Sequence, residues 1–191
     1  MMFIGEVVRK AVSNPNTLTV FRMAAAPGIV ILLMVPNRFF TFVAAILFSL
    51  AAISDYLDGY LARRWGLISN FGKVMDPVAD KLIVSFSFIM MVSLGWIPAW
   101  IICIIIGREL AITGLRSVVA EVESDADLSA SWLGKYKTGF QIAAIIPLLF
   151  HYPYFGINLH AIGMFFLWGS LIFTVWSGVD YIIKFKHLLR T

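Results

Sequence analysis

Read along the chain, apolar residues come in long uninterrupted blocks separated by short clusters of Pro, Gly, Asn and charge. Each block has the length of a membrane-spanning helix rather than of a strand or a soluble amphipathic helix. The blocks predict spans over about 17–35, 39–63, 76–94, 98–120, 132–150 and 160–183. Ser13-Asn14-Pro15-Asn16-Thr17 and Pro36-Asn37-Arg38 punctuate the first of these. The uncharged run from Leu82 to Ile106 is too long for one helix, and Gly95-Trp96-Ile97-Pro98 divides it. Asp76-Pro77 reads as an N-cap followed by a first-turn proline, so the third span is expected to start there, after a polar connection over 64–75. Residues 121–131 form an acidic loop, and Lys184, Lys186 and Arg190 a basic tail. Residues 1–13 mix apolar side chains with Glu6, Arg9 and Lys10, which predicts a short amphipathic helix lying on the membrane surface. The fold class expected is all-α: a polytopic membrane protein of six transmembrane helices in a single domain over 1–191.

Composition supports the membrane reading. The chain is 60% hydrophobic and only 14% charged, against roughly a quarter charged in a soluble domain. The net charge of +4 would suggest nucleic acid in a soluble protein. Here the cations lie between apolar blocks, so no nucleic-acid partner is expected. With six spans, Arg9, Lys10, Arg22, Arg63, Arg64, Lys73, Lys81, Arg108, Arg116, Lys135, Lys137, Lys184, Lys186 and Arg190 fall on one face, and Arg38 alone on the other. That bias makes the rich face cytoplasmic and puts both termini there. The lone Cys103 sits in an apolar run and excludes a disulfide framework. Trp96, Trp100, Trp132 and Trp168 are expected at the interface or in packing.

The candidate chemistry is carboxylate. Asp55 and Asp58, three apart, share one face of the second helix; Asp76 and Asp80, four apart, share one face of the third. Two short-linked neighbouring helices can turn these faces toward each other. Four carboxylates in one space repel and raise one another's pKa, and a divalent cation resolves both problems. An all-oxygen donor set suits Mg²⁺ or Mn²⁺ rather than zinc, and four carboxylates suit a pair of ions. Gly59, Ala62 and Gly72 are small where a ligand would approach backbone, and Arg63 offers a cation for phosphate. Taken singly these residues also read as a helix cap, solvated helix ends and close helix packing.

The spacing D-x2-D-G-x2-A-R-x8-G-x3-D-x3-D from Asp55 to Asp80 is complete. It resembles the signature of the CDP-alcohol phosphatidyltransferases. Asn14 to Arg22 with Pro27 resembles the family's first-span entry. Gly107-Arg108-Glu109-Leu110, Gly114-Leu115-Arg116 and Trp132 to Thr138 with Gln141 resemble the branch that makes phosphatidylglycerophosphate. The resemblance implies transfer of the phosphatidyl group of CDP-diacylglycerol to sn-glycerol 3-phosphate, with release of CMP. It implies that Asp55, Asp58, Asp76 and Asp80 hold two metal ions, with Asp80 also the general base. Gly59, Ala62, Arg63 and Gly72 would line the CDP site, completed by Asn16 and Thr19. Arg108, Arg116, Lys135 and Lys137 would bind the acceptor phosphate, and Glu109 would pair with a basic neighbour. Inositol phosphate, serine and phosphatidylglycerol are the alternative acceptors, and an intramembrane metal or proton transporter is the alternative class. The resemblance further implies a homodimer in the cell (inner) membrane; the charge bias puts the active site, like the termini, on the cytoplasmic side.

Overall fold

The computed structural model describes residues 15–65, 70–122, 132–153 and 157–188, with side chains for 18–55, 75–115, 136–153 and 157–183. Among the described residues there are six helices and no strand: α1 (Pro15–Leu33), α2 (Arg38–Trp65), α3 (Asn70–Ser93), α4 (Ala99–Val122), α5 (Trp132–Phe150) and α6 (Leu159–Leu188). The predicted surface helix over 1–13 lies outside the described residues.

Local chemistry explains several helix ends. The Asn37 side-chain oxygen accepts from the Phe39 and Phe40 amides at 3.0 and 2.9 Å and caps α2. Asn158 accepts from the Ala161 amide at 3.1 Å and caps α6. The predicted break after α3 is present: Gly95 turns the chain at a φ of +71°, a conformation that favours glycine.

Three expectations are corrected. The third helix starts at Asn70, so Asp76 is not its cap and Pro77 lies inside it. The reason is tertiary. The Asp76 carboxylate is used across helices by Thr19 and Arg22 of α1, and α1 packs extensively along α3, which supports helix through a proline. The polar connection shortens accordingly, because α2 continues to Trp65. Finally, α6 continues to Leu188, so Lys184 and Lys186 stand on a helix and not in a tail.

The helices pack α1 against α2 and α3, α5 against α6, with α2 and α3 touching α5, and α4 resting on α6 and more lightly on α3. The core runs through Ala26, Ile29 and Leu33 of α1, Ala44, Ala45 and Phe48 of α2, Phe88 and Met91 of α3, and Ile145, Leu148 and Leu149 of α5. Small residues let backbones approach. At Gly163 of α6 an added Cβ would fall 2.5 Å from Leu148 Cγ of α5, so any larger residue there would force this tightest pair apart.

The distribution of polarity is inverted relative to a soluble protein. Ile31, Val35, Phe39, Phe165, Ile172, Trp176 and Ile183 are exposed, while Thr19, Arg22, Lys137 and Gln141 are buried. Lipid is the solvent that suits such a surface, and charge within it faces an interior cavity. Arg38–Asp55 and Leu159–Ile183 are long and apolar enough to cross a membrane, while Leu18–Leu33 and Tyr136–Phe150 are shorter apolar helices. α3 and α4 carry Asp76, Asp80, Lys81, Arg108 and Glu109 along their length.

Candidate active site

The site is assembled where α1, α2 and α3 meet. Arg22 projects from α1 and is 1% exposed. Its Nη1 donates to Oδ1 of Asp55 on α2 and to Oδ1 of Asp80 on α3. Its Nη2 donates to Oδ1 of Asp76 at 2.8 Å. Thr19, one turn earlier on α1 and fully buried, donates to the same Asp76 oxygen at 2.5 Å. Three of the four signature aspartates thus converge on one guanidinium. Asp58 stands one turn after Asp55 on α2, with its side chain outside the described set.

Arg22 was expected only as one of many cations on the cytoplasmic face. It is instead the hub of the carboxylate cluster. The signal available in sequence was its position: it is the one charge between Thr17 and Val35, and an arginine inside an apolar span needs counter-charge. Thr19, expected to complete the nucleotide site, donates to the Asp76 carboxylate of this cluster. The side chains of Asn16, Gly59, Ala62, Arg63 and Gly72 lie outside the described set.

A cavity of about 730 Å³ opens beside this cluster, within the range of small-molecule sites. Arg22, Asp55 and Asp80 line it together with a second charged group, Lys81, Arg108, Glu109 and Lys137. In that group Lys137 Nζ lies 2.8 Å from Glu109 Oε1, and the two side chains are 7% and 17% exposed. Gln141 donates to the same Glu109 oxygen at 2.8 Å. Lys81 donates to the Thr113 hydroxyl, which itself donates to the Glu109 carbonyl at 2.7 Å. The expected pairing of Glu109 with a basic neighbour is therefore present. Of the four residues expected to bind the acceptor phosphate, Arg108 and Lys137 share the cavity; the side chains of Arg116 and Lys135 lie outside the described set. Lys81 was missed because, in sequence, it is one more cation beside Asp80. Phe48, Ile83, Val84, Ile112 and Ile142 give the cavity an apolar wall.

The donor set fits a hard divalent cation. It is all oxygen, it carries three negative charges against the single positive charge of Arg22, and its side chains are 45%, 41% and 43% exposed. Among the described residues no such group stands as a closed metal cage; the guanidinium stands between the carboxylates.

A six-helix bundle with carboxylates and cations sharing one interior cavity, beside apolar walls, is the arrangement of an enzyme that handles an anionic lipid substrate. The chain belongs to the CDP-alcohol phosphatidyltransferase family, whose model matches residues 12–176. It is 38% identical over 189 residues to the CDP-diacylglycerol--glycerol-3-phosphate 3-phosphatidyltransferase of Bacillus subtilis (strain 168), covering 93% of this chain and 97% of that one. It is 34% identical over 170 residues to the protein of the same name from Escherichia coli (strain K12), covering 88% and 92%. The family is divalent-metal dependent.

Proposed function

We propose that this chain transfers the phosphatidyl group of CDP-diacylglycerol to sn-glycerol 3-phosphate, giving phosphatidylglycerophosphate and CMP. One observation carries the reading: a carboxylate cluster and a cation cluster face a single cavity. The names of the Bacillus subtilis and Escherichia coli relatives support it.

In this reading Asp55, Asp58, Asp76 and Asp80 hold two divalent cations, Mg²⁺ or Mn²⁺. When bound, the cations offset charge on the diphosphate and on the oxygens entering and leaving phosphorus. Gly59, Ala62, Arg63 and Gly72, with Asn16 and Thr19, bind the cytidine diphosphate portion. The diacylglycerol portion extends along the apolar wall. Arg108, Arg116, Lys135 and Lys137 hold the acceptor phosphate, and Lys81 joins them. Asp80 takes the proton of the acceptor hydroxyl as its oxygen attacks the lipid-side phosphorus. A new P–O bond forms, the bond to the CMP oxygen breaks, and CMP leaves.

The acceptor class follows from charge. Lys81, Arg108 and Lys137 line the cavity with Glu109, whereas Asp55 and Asp80 on the same cavity are engaged by Arg22. The balance of three cations to one carboxylate suits a phosphate monoester dianion and gives no reason for serine, which carries none. Asp55 lies on α2, and Asp76 and Asp80 on the first half of α3; both are continuous helices, not the broken helices expected of a transporter, which disfavours that class. We further read the bundle as crossing the cell (inner) membrane six times, with the site and both termini cytoplasmic, and as a homodimer.

The test is release of CMP from CDP-diacylglycerol by the purified protein in detergent with Mg²⁺ or Mn²⁺, comparing sn-glycerol 3-phosphate, inositol phosphate and serine. Release that needs both metal and glycerol 3-phosphate is expected. Release with another acceptor would retain the site and overturn the acceptor; no release from a folded protein would overturn the reaction.

A further inference from the structure

The sequence gives the end of α6 no role. In the structure it forms a wall of the cation cluster. Gly178 and Tyr181 are three residues apart and therefore share one face of α6, and Arg108 of α4 lies against both. The Arg108 guanidinium carbon is 5.9 Å from the centre of the Tyr181 ring. A Cβ added at Gly178 would meet Arg108 Cγ at 3.4 Å and Nε at 4.0 Å. Arg108 and Tyr181 both line the cavity, and α4 packs against α6.

These contacts have separate physical uses. A Cβ at Gly178 would make only ordinary contact with the Arg108 stem, so the glycine lets the stem lie close to α6 and a branched side chain would press on it. The face of the Tyr181 ring attracts a guanidinium and limits its directions. A long arginine side chain loses about 2 kcal/mol of rotamer freedom when fixed, so a seat that fixes it in advance leaves less to be lost when an anion binds.

We propose that Gly178 and Tyr181 are positioning residues that aim Arg108 at the phosphate of the acceptor. They act through Arg108 and set affinity for the phosphorylated acceptor, not the rate of chemistry. The proposal rests on the reading of the Lys81, Arg108 and Lys137 cluster as the acceptor site.

The test compares full-length wild type, Tyr181→Leu, Tyr181→Phe and Gly178→Val in detergent. Turnover is measured against each substrate, and binding of sn-glycerol 3-phosphate is measured directly by titration calorimetry. Tyr181→Leu keeps apolar bulk and removes the ring; KM and Kd for sn-glycerol 3-phosphate are expected to rise about fivefold, the scale of a partly desolvated cation–π contact. The kcat and the KM for CDP-diacylglycerol should stay within about twofold of wild type, and Tyr181→Phe should regain most of the lost affinity. Gly178→Val, which puts branched carbon into the Arg108 stem, should raise the acceptor KM by about tenfold. Unchanged acceptor affinity in Tyr181→Leu overturns the seat, as does an equal loss in Tyr181→Phe or a matching rise in the KM for CDP-diacylglycerol. Wild-type turnover that ignores sn-glycerol 3-phosphate while the protein still binds it overturns the functional reading alone; no binding by wild type overturns both.

Discussion

The two charged clusters of the cavity are built to the same plan with signs exchanged. In one, three carboxylates gather on a single buried guanidinium, Arg22. In the other, a largely buried carboxylate, Glu109, is paired to Lys137 beside Arg108 and Lys81. Each central ion permits like charges to collect in a medium of low dielectric, where they would otherwise repel or neutralise. Each also leaves an excess of the opposite sign. The excess is negative where cations of the metal-dependent family would bind and positive where a phosphate would bind. The difference between the clusters lies in exposure: the three carboxylates are more than 40% exposed, whereas Lys137 is 7% exposed.

The largest expected effect separates chemistry from assembly. Asp80→Asn keeps size and hydrogen-bonding capacity but removes the proton acceptor of the proposed reaction. CMP release should fall by about 10²–10⁴-fold, the usual worth of a general base, with the elution profile of the detergent-solubilised protein unchanged. Retained activity would mean that the acidic cluster only binds and that the base lies elsewhere.

Next is the hub itself. Arg22→Met leaves Asp55, Asp76 and Asp80 facing one another. Removing one partner of a buried ion pair costs about 3–5 kcal/mol; with carboxylates more than 40% exposed the expected loss is about 3 kcal/mol, the low end of that range. Thermal unfolding in detergent reads it. Mg²⁺ should raise the Tm of Arg22→Met more than that of wild type, because a cation takes over the lost counter-charge. An equal response in both would show that Arg22 and the metal do not share the carboxylates.

The mirror experiment follows. Glu109→Gln keeps an acceptor for Gln141 and Lys137 but removes the charge that the buried ammonium relies on. The expected loss is about 2 kcal/mol, below the range for outright removal of a buried partner, since the amide retains a hydrogen bond. Here sn-glycerol 3-phosphate should stabilise the variant more than wild type, its phosphate standing in for the carboxylate. A response no greater than wild type would break the symmetry of the two clusters.

The plan was half legible in the sequence. Spacing alone put Asp55 and Asp58, and Asp76 and Asp80, on common helix faces, because side-chain direction along a helix is periodic. The charge on Glu109, inside an apolar block, forecast its own partner. Arg22 meets the same criterion, but in sequence it merges with the general excess of cations that topology accounts for. Asp76-Pro77 misled for a related reason: a capping residue is recognised locally, and this carboxylate is engaged by a helix some 55 residues earlier in the chain. Block lengths mark the helices better than cap signals do: α5 runs over 132–150, where the apolar block lies between an acidic stretch of sequence and a Pro-containing turn. Gly178 and Tyr181 gave no local signal, since nothing near them in sequence shows that Arg108 lies against them.

A third group of titratable side chains lacks any central counter-ion among the described residues, and it tests the comparison from outside. His151, in the turn between α5 and α6, stacks on Trp96 with ring centres 4.0 Å apart and meets His160 edge-on at 6.0 Å. Burial, and then the like charge of His160, hold the His151 pKa below its usual 6.5. The native state therefore disfavours the protonated form. Above about pH 6.5 both native and unfolded chains are neutral at this site and its contribution is intact. As pH falls below that value the unfolded chain takes up the proton first, and stability is lost progressively until the native pKa is passed. The effect should be the smallest of the four, because the ring is only partly buried. His151→Asn suits the positive φ of 35° at this position and should flatten the dependence of Tm on pH between about 5 and 7. A dependence that survives in His151→Asn would place the titration in another group, and a rise in Tm on acidification would mean that the turn holds a carboxylate partner after all, as the two cavity clusters hold theirs.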